Sequence, residues 1–247
     1  MIITNENMKF VAFEVWSDYA HFRRGYTTTS PLSYPIPSRT ALSGIIAAIL
    51  GLPRDSYYEL LNEENSAIAL QILNPIKKVT INRNLVDTKG GLWGIEEPLK
   101  RRTQIVYEYI KEPKYRLFVW LRDNEKFKDL QKAVTERKTV YTIYMGISEH
   151  IAQFSPYEEG FFEAELTHAD GNVVEIHSIV PSEKAKIIID QNDKDYVYGY
   201  ARVPGFMNIN RVVKKYLDIY FEENGRPLKI STGDYYNIGG KINIIPF

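Results

Sequence analysis

The chain has 247 residues, 44% of them hydrophobic, with 31 basic against 31 acidic side chains. That length and apolar share allow one domain with extensions or two small ones. The zero net charge excludes a whole-molecule field drawing it to nucleic acid or an anionic membrane, and the absence of cysteine excludes disulfides, thiolate nucleophiles and cysteine-based metal sites and fits a reducing compartment.

A strand-like run starts at Met8 with no basic leader and apolar core ahead of it. No apolar stretch approaches the roughly 20 residues of a membrane span, so no membrane partner is expected and the expected location is the cytoplasm. Met8 to Trp16 alternates apolar and polar residues as a half-buried strand does. After the polar, turn-rich FRRGYTTTSPLSYPIP, residues Ser38 to Leu52 predict a helix. Ser38 caps it, Leu42, Ile45, Ile46, Ile49 and Leu50 form its apolar stripe, and Gly51 with Pro53 ends it.

A short helical piece is expected around Tyr57 to Leu61, then a strand, or a strand leading into a hairpin, over Ala67 to Ile81. Tyr115 to Leu121 predicts a strand, Glu125 to Lys138 a helix with Phe127, Leu130, Ala133 and Val134 on one stripe, and Thr139 to Met145 a strand. The order is β-α-β-β-α-β, the ferredoxin-like arrangement of an α+β protein, which many unrelated functions share. Residues 82–114 are too long for an ordinary strand connection and predict a projecting β-hairpin. From His150 on, FFEAEL, NVVEIHSIV, AKIII, YVYGYARV, KKYLDIYF and INIIPF alternate with turn residues, which predicts a mostly antiparallel β extension.

Aromatics are plentiful, with 18 Tyr, 11 Phe and 3 Trp. They suit both β-rich cores and stacking on unpaired bases. Between Lys77 and Arg122, eleven cations face five anions. That excess is either a phosphate footprint interleaved with Trp93, Tyr107 and Tyr109 or a solvated hairpin. Arg23, Arg24 and the hydroxyl run Thr27, Thr28, Thr29 and Ser30 precede the helix start at Ser38 and Arg39. Such a start can seat a phosphate, or the turn can satisfy its own backbone. The four histidines lack metal-ligand spacing. His21 with Tyr26 is the pair to which a metal-independent RNA cleavage would fall.

The combination of FRRGYTTTSPLSYPIPSRTALSGIIAAILGLP with YTIYMGISEHIA near mid-chain resembles the Cas-five family, small RAMP-superfamily subunits of CRISPR surveillance complexes, and its wording is most similar to the type I-B branch. The resemblance implies a ferredoxin-like RAMP domain over residues 1–149, with 82–114 as an inserted thumb hairpin, and a β-rich extension over 150–247. It implies an RNA-binding subunit that caps the 5′ handle of the crRNA in Cascade. Backbone subunits and the large subunit would adjoin it, and target DNA would meet it only through the assembled complex.

Under that resemblance Arg23, Arg24, Tyr26, Thr27, Thr28, Thr29, Ser30, Ser38 and Arg39 would face the handle. Lys89, Trp93, Lys100, Arg101 and Arg102 would lie on the thumb, and no cofactor is implied. The type I-C branch cuts repeat RNA with adjacent Lys and His. Here the residues before the histidines are Ala20, Glu149, Thr167 and Ile176, which favours a non-catalytic subunit over an endoribonuclease using His21 and Tyr26.

Overall fold

A computed structural model describes residues 7–25, 27, 31–86, 102–190 and 193–247. The first half runs β1 (Asn7–Trp16), β2 (Tyr19–Ala20), α1 (Arg39–Leu50), β3 (Ser66–Ile72), β4 (Lys77–Val86), β5 (Arg102–Lys111), β6 (Lys114–Leu121) and α2 (Asn124–Thr135). The second half is all strand: β7 (Gln153–His168), β8 (Val174–Ile176), β9 (Val180–Pro181), β10 (Ala185–Ile188), β11 (Tyr198–Met207), β12 (Val213–Glu222), β13 (Leu228–Ile238) and β14 (Ile242–Ile244). This is a mixed α/β protein whose strand pairs are antiparallel, with two helices among the described residues.

β1 occupies the middle of the main sheet because it is apolar on both faces. Val11, Phe13 and Val15 enter one core, and Met8, Phe10 and Ala12 enter the other, as the period of two requires. Around it the sheet runs β10-β13-β7-β1-β6-β3. The two helices cover the first face with Leu42, Ile45, Ile46 and Ile49 from α1 and Phe127, Leu130 and Val134 from α2. α1 contains Gly44 and β-branched isoleucines, weak helix formers. Burial of each large aliphatic chain is worth about 1.5–3 kcal/mol and outweighs that deficit. Ser38 Oγ accepts the Ala41 N–H, and Gly51 closes the other end at φ 69°.

Four departures from the sequence reading have physical causes. Residues 139–145 form no strand. Tyr141 N–H caps the Ala48 carbonyl of α1, while β7, from the stretch assigned to the C-terminal extension, takes the place beside β1. Of the two readings of 67–81 the strand leading into a hairpin is the one found, but the run is broken at 73–76 and the hairpin begins not at residue 82 but at Lys77, where β4 leaves the main sheet to pair with β5. β13 was not foreseen, because polar residues and Gly233 interrupt its alternation, yet β7, β8, β10 and β14 all pair with it. The face of α1 that carries Ser43, Gly44, Ala47 and Ala48, small enough in the sequence for another backbone to approach, receives none at Gly44, where an added Cβ would meet only the Tyr57 hydroxyl at 3.8 Å.

Candidate nucleic-acid interface

The segment ahead of α1 is held as a narrow two-armed loop. Phe22 N–H donates to Ser33 Oγ at 3.0 Å, Tyr34 N–H to the Phe22 carbonyl at 2.7 Å and Arg24 N–H to the Leu32 carbonyl at 2.9 Å. Thr27 closes its own turn: its hydroxyl donates to the Arg24 carbonyl at 2.9 Å and accepts the Leu32 N–H at 3.3 Å. Arg23 donates from a terminal nitrogen to the Thr27 carbonyl at 3.3 Å. Arg24 also donates from Nε to the Ser33 carbonyl and lies over the Tyr34 ring.

Across from this loop stand β11 and β12, and between the two lies a cleft of about 1420 Å³. Ser38, Thr40 and Ala41 bring the first turn of α1 to it. Among the described residues four arginines line it, Arg23, Arg24, Arg202 and Arg211, and no carboxylate does. Asp55 lies nearby, bound by Arg211 at 2.9 and 3.1 Å and by the Tyr58 hydroxyl at 2.6 Å. Tyr57, Tyr58, Tyr200 and Tyr216 add aromatic faces. Cations, a helix start and open rings in one concavity suit a phosphodiester chain with unpaired bases.

Beside the cleft, the β4–β5 pair is anchored to the body by rings and charges. His21 Nδ1 lies 2.8 Å from the Glu108 carbonyl, so it carries the proton and donates. The ring packs on Tyr107 and Tyr109, which stack at 5.9 Å, and Tyr109 meets His150 edge-on at 5.0 Å. Arg83 lies over Tyr107 and pairs with Glu149 at 2.9 Å. Burial pushes both imidazoles below the usual histidine range, and their Nε2 atoms have no partner among the described residues. Among those residues no cluster of three or more His, Asp or Glu forms a metal site, and no helix is long and apolar enough to cross a membrane.

The sequence profile of the family described as CRISPR-associated protein (Cas_Cas5) matches residues 10–200. The chain belongs to this family. No curated protein matches it at a significant level. Among solved structures, a CRISPR protein from Archaeoglobus fulgidus is similar, at 18% identity and a TM-score of 0.53 over 97% of this chain and 99% of that one. So is a chain of a structure titled "CRISPR RNA-guided surveillance complex", at 10% identity and a TM-score of 0.51 over 88% and 91%. At these identities the likeness is one of fold.

Within this Cas_Cas5 family chain, the sequence-derived site residues separate into three groups. Arg23, Arg24 and Ser38 line the cleft, and Arg102 is exposed at the start of β5. Tyr26, Thr28, Thr29, Ser30, Lys89, Trp93, Lys100 and Arg101 lie outside the described residues. The rest need correction. Arg39 is fully buried, with a terminal nitrogen donating to Ser66 Oγ at 2.8 Å and the Ser66 carbonyl at 3.1 Å, and its guanidinium 4.7 Å from the Phe206 ring. Desolvation there lowers its pKa to about 9, so it ties α1 to its neighbours and does not meet a phosphate.

Thr27 is committed to its own turn. His21 is 1% exposed, though it lines the cleft, and Tyr26, its partner in the cleavage reading, lies outside the described residues. Tyr109, expected as an interleaved aromatic, is buried against two histidines. Five of the eleven cations counted from Lys77 to Arg122 are salt-bridged, Lys78, Arg83, Lys111, Lys114 and Arg116, which shrinks the expected footprint. Sequence reasoning missed Tyr200, Arg202, Arg211 and Tyr216. The signal for Tyr200, Arg202 and Tyr216 was aromatic and basic residues alternating with apolar ones along β11 and β12, and Arg211, in the turn between them, had none.

Proposed function

We propose that this chain is the RNA-binding subunit of a type I CRISPR surveillance complex, most like the type I-B branch, and that it caps the 5′ handle of the guide RNA. The observation that carries the reading is the cleft. In a chain of this family, the described residues that line the cleft include four arginines, one of them paired with Asp55, and no carboxylate, beside the first turn of α1, which favours a phosphate backbone. The strand order β7-β1-β6-β3 with helices on one face supports a ferredoxin-like RAMP body. The likeness of fold to a chain of an RNA-guided surveillance complex supports an effector subunit assembled with other proteins. The role is binding and not cutting: no Lys-His pair occurs in the sequence, and His21 is shut away from solvent.

The test is a titration of the full chain, alone and in its reconstituted complex, with repeat-derived RNA at several salt concentrations. Handle RNA is expected to bind in preference to scrambled RNA, and Arg23→Ala to lower the salt slope by about one, because one fewer counterion is released. Equal binding of both RNAs would refute handle recognition. Cleavage of repeat RNA by the chain alone in chelator would refute the non-catalytic role.

A further inference from the structure

The strand pair β11–β12 hides one face and opens the other. Ala201, Val203, Leu217, Ile219 and Phe221 enter the main core, so the alternate residues Tyr200, Arg202 and Tyr216 stand toward the cleft. Tyr200 and Tyr216 are 58% and 46% exposed. These rings are also oriented. Asp218 accepts the Tyr200 hydroxyl, the Tyr220 ring lies 5.6 Å from that of Tyr200, and the Arg202 guanidinium stands 5.6 Å over Tyr216. Flat rings and a guanidinium plane on an open sheet face are what unpaired bases stack on, whereas a duplex keeps its base faces to itself.

We propose that β11–β12 is a base-stacking platform, on which Tyr200 and Tyr216 hold the bases of unpaired nucleotides whose phosphates run along Arg23 and Arg24. This rests on the RNA-binding reading and adds to it the half of the cleft that deals with bases. Exposed Tyr and Arg also anchor protein interfaces. Among the described residues the cleft lining holds Arg23, Arg24 and Arg202 and no carboxylate, and Asp218 on the platform is engaged by Tyr200, which favours a polyanion carrying bases.

The experiment uses the full chain and a short unpaired RNA of handle sequence carrying 2-aminopurine. Binding is expected to quench the probe by stacking. Tyr200→Ala and Tyr216→Ala are each expected to weaken binding about tenfold with no change in salt slope, while Arg23→Ala lowers the slope. Tyr216→Trp should retain affinity. Tyr216→Ile, which keeps strand propensity but lacks the ring, should lose affinity at an unchanged melting temperature.

Tyrosine variants that bind like the parent chain, while Arg23→Ala still binds less, would overturn the platform and leave the RNA reading intact. If those variants instead fail to enter the reconstituted complex, the face is a protein contact and the platform falls. A parent chain that binds no RNA overturns both readings. Equal binding of same-sequence DNA with the same tyrosine dependence upholds the platform and overturns RNA as its strand.

Discussion

Gly146 lies against the backbone of His21 so closely that an added Cβ would overlap the His21 carbonyl oxygen, and the His21 N–H donates to the neighbouring Met145 carbonyl at 3.0 Å. The contact joins two segments distant in the chain, and both residues line the cleft. Gly146 also sits at φ +90°, where a side chain costs of order 1–3 kcal/mol even before the clash. Gly146→Ala is therefore expected to lose at least that much in urea unfolding. It should also weaken RNA binding by displacing the loop that carries Arg23. An unchanged denaturation midpoint would disprove the contact.

Acid should loosen the hairpin anchor before it touches the carboxylates. Burial holds His21 and His150 below their ordinary range, so near pH 6.5 the unfolded chain binds protons that the folded chain refuses. The stability contributed by the neutral rings is complete above about pH 6.5 and is lost as pH falls toward the folded values. Glu149, held low by hydrogen bonds and Arg83, acts only at more acid pH. His168 opposes the trend, because Asp234 raises it; its contribution is present below about pH 6.5 and fades as pH rises through its folded value. The urea midpoint should fall between about pH 7.5 and 5.5, with a smaller fall in His21→Phe. Identical pH profiles for the two proteins would rule out His21 as a contributor.

What the sequence made legible was local. The cap at Ser38, the apolar stripe of α1 and the extent of β1 each lie within a dozen residues and stand where the pattern put them, although β1 is buried on both faces and not half-buried. Long-range choices were not legible. Residues 139–145 carry a strand-like pattern, but hydrogen bonding to α1 and the competing claim of β7 decide their conformation. A basic residue at a helix start reads the same whether it meets solvent or a buried serine, so Arg39 was misread. The second wall of the cleft escaped because β11 and β12 lie more than 150 residues along the chain from the loop they face.

Arg39 separates a structural cation from an RNA-contacting one. Its removal takes the guanidinium donor from the carbonyls of Leu61 and Ser66 in a buried pocket, at about 1–3 kcal/mol for each group left unsatisfied, while the Ser66 hydroxyl keeps its bond to the Asn62 carbonyl. Arg39→Ala is expected to lower stability by a few kcal/mol. RNA bound at a temperature where the variant remains folded should show the parent salt slope, since no phosphate contact is lost. A slope reduced by about one unit would return Arg39 to the interface.

Asp55 restrains the cleft arginine Arg211, gripping it through both oxygens at 2.9 and 3.1 Å while accepting the Tyr58 hydroxyl at 2.6 Å. Asp55→Asn keeps the shape, and asparagine tolerates the φ of 64° at this position, so folding should be spared. The neutral amide releases Arg211 to meet a phosphate, which is expected to raise affinity at low salt and steepen the salt slope by about one. Tyr58 supplies an independent readout. Its hydroxyl is pushed up to about 12, by burial first and then by the bond to Asp55, so ultraviolet titration of Asp55→Asn should show one tyrosine ionising at lower pH. If Tyr58 shifts but the salt slope stays the same, Arg211 lies outside the path of the RNA, and the phosphate track must end at Arg23, Arg24 and Arg202.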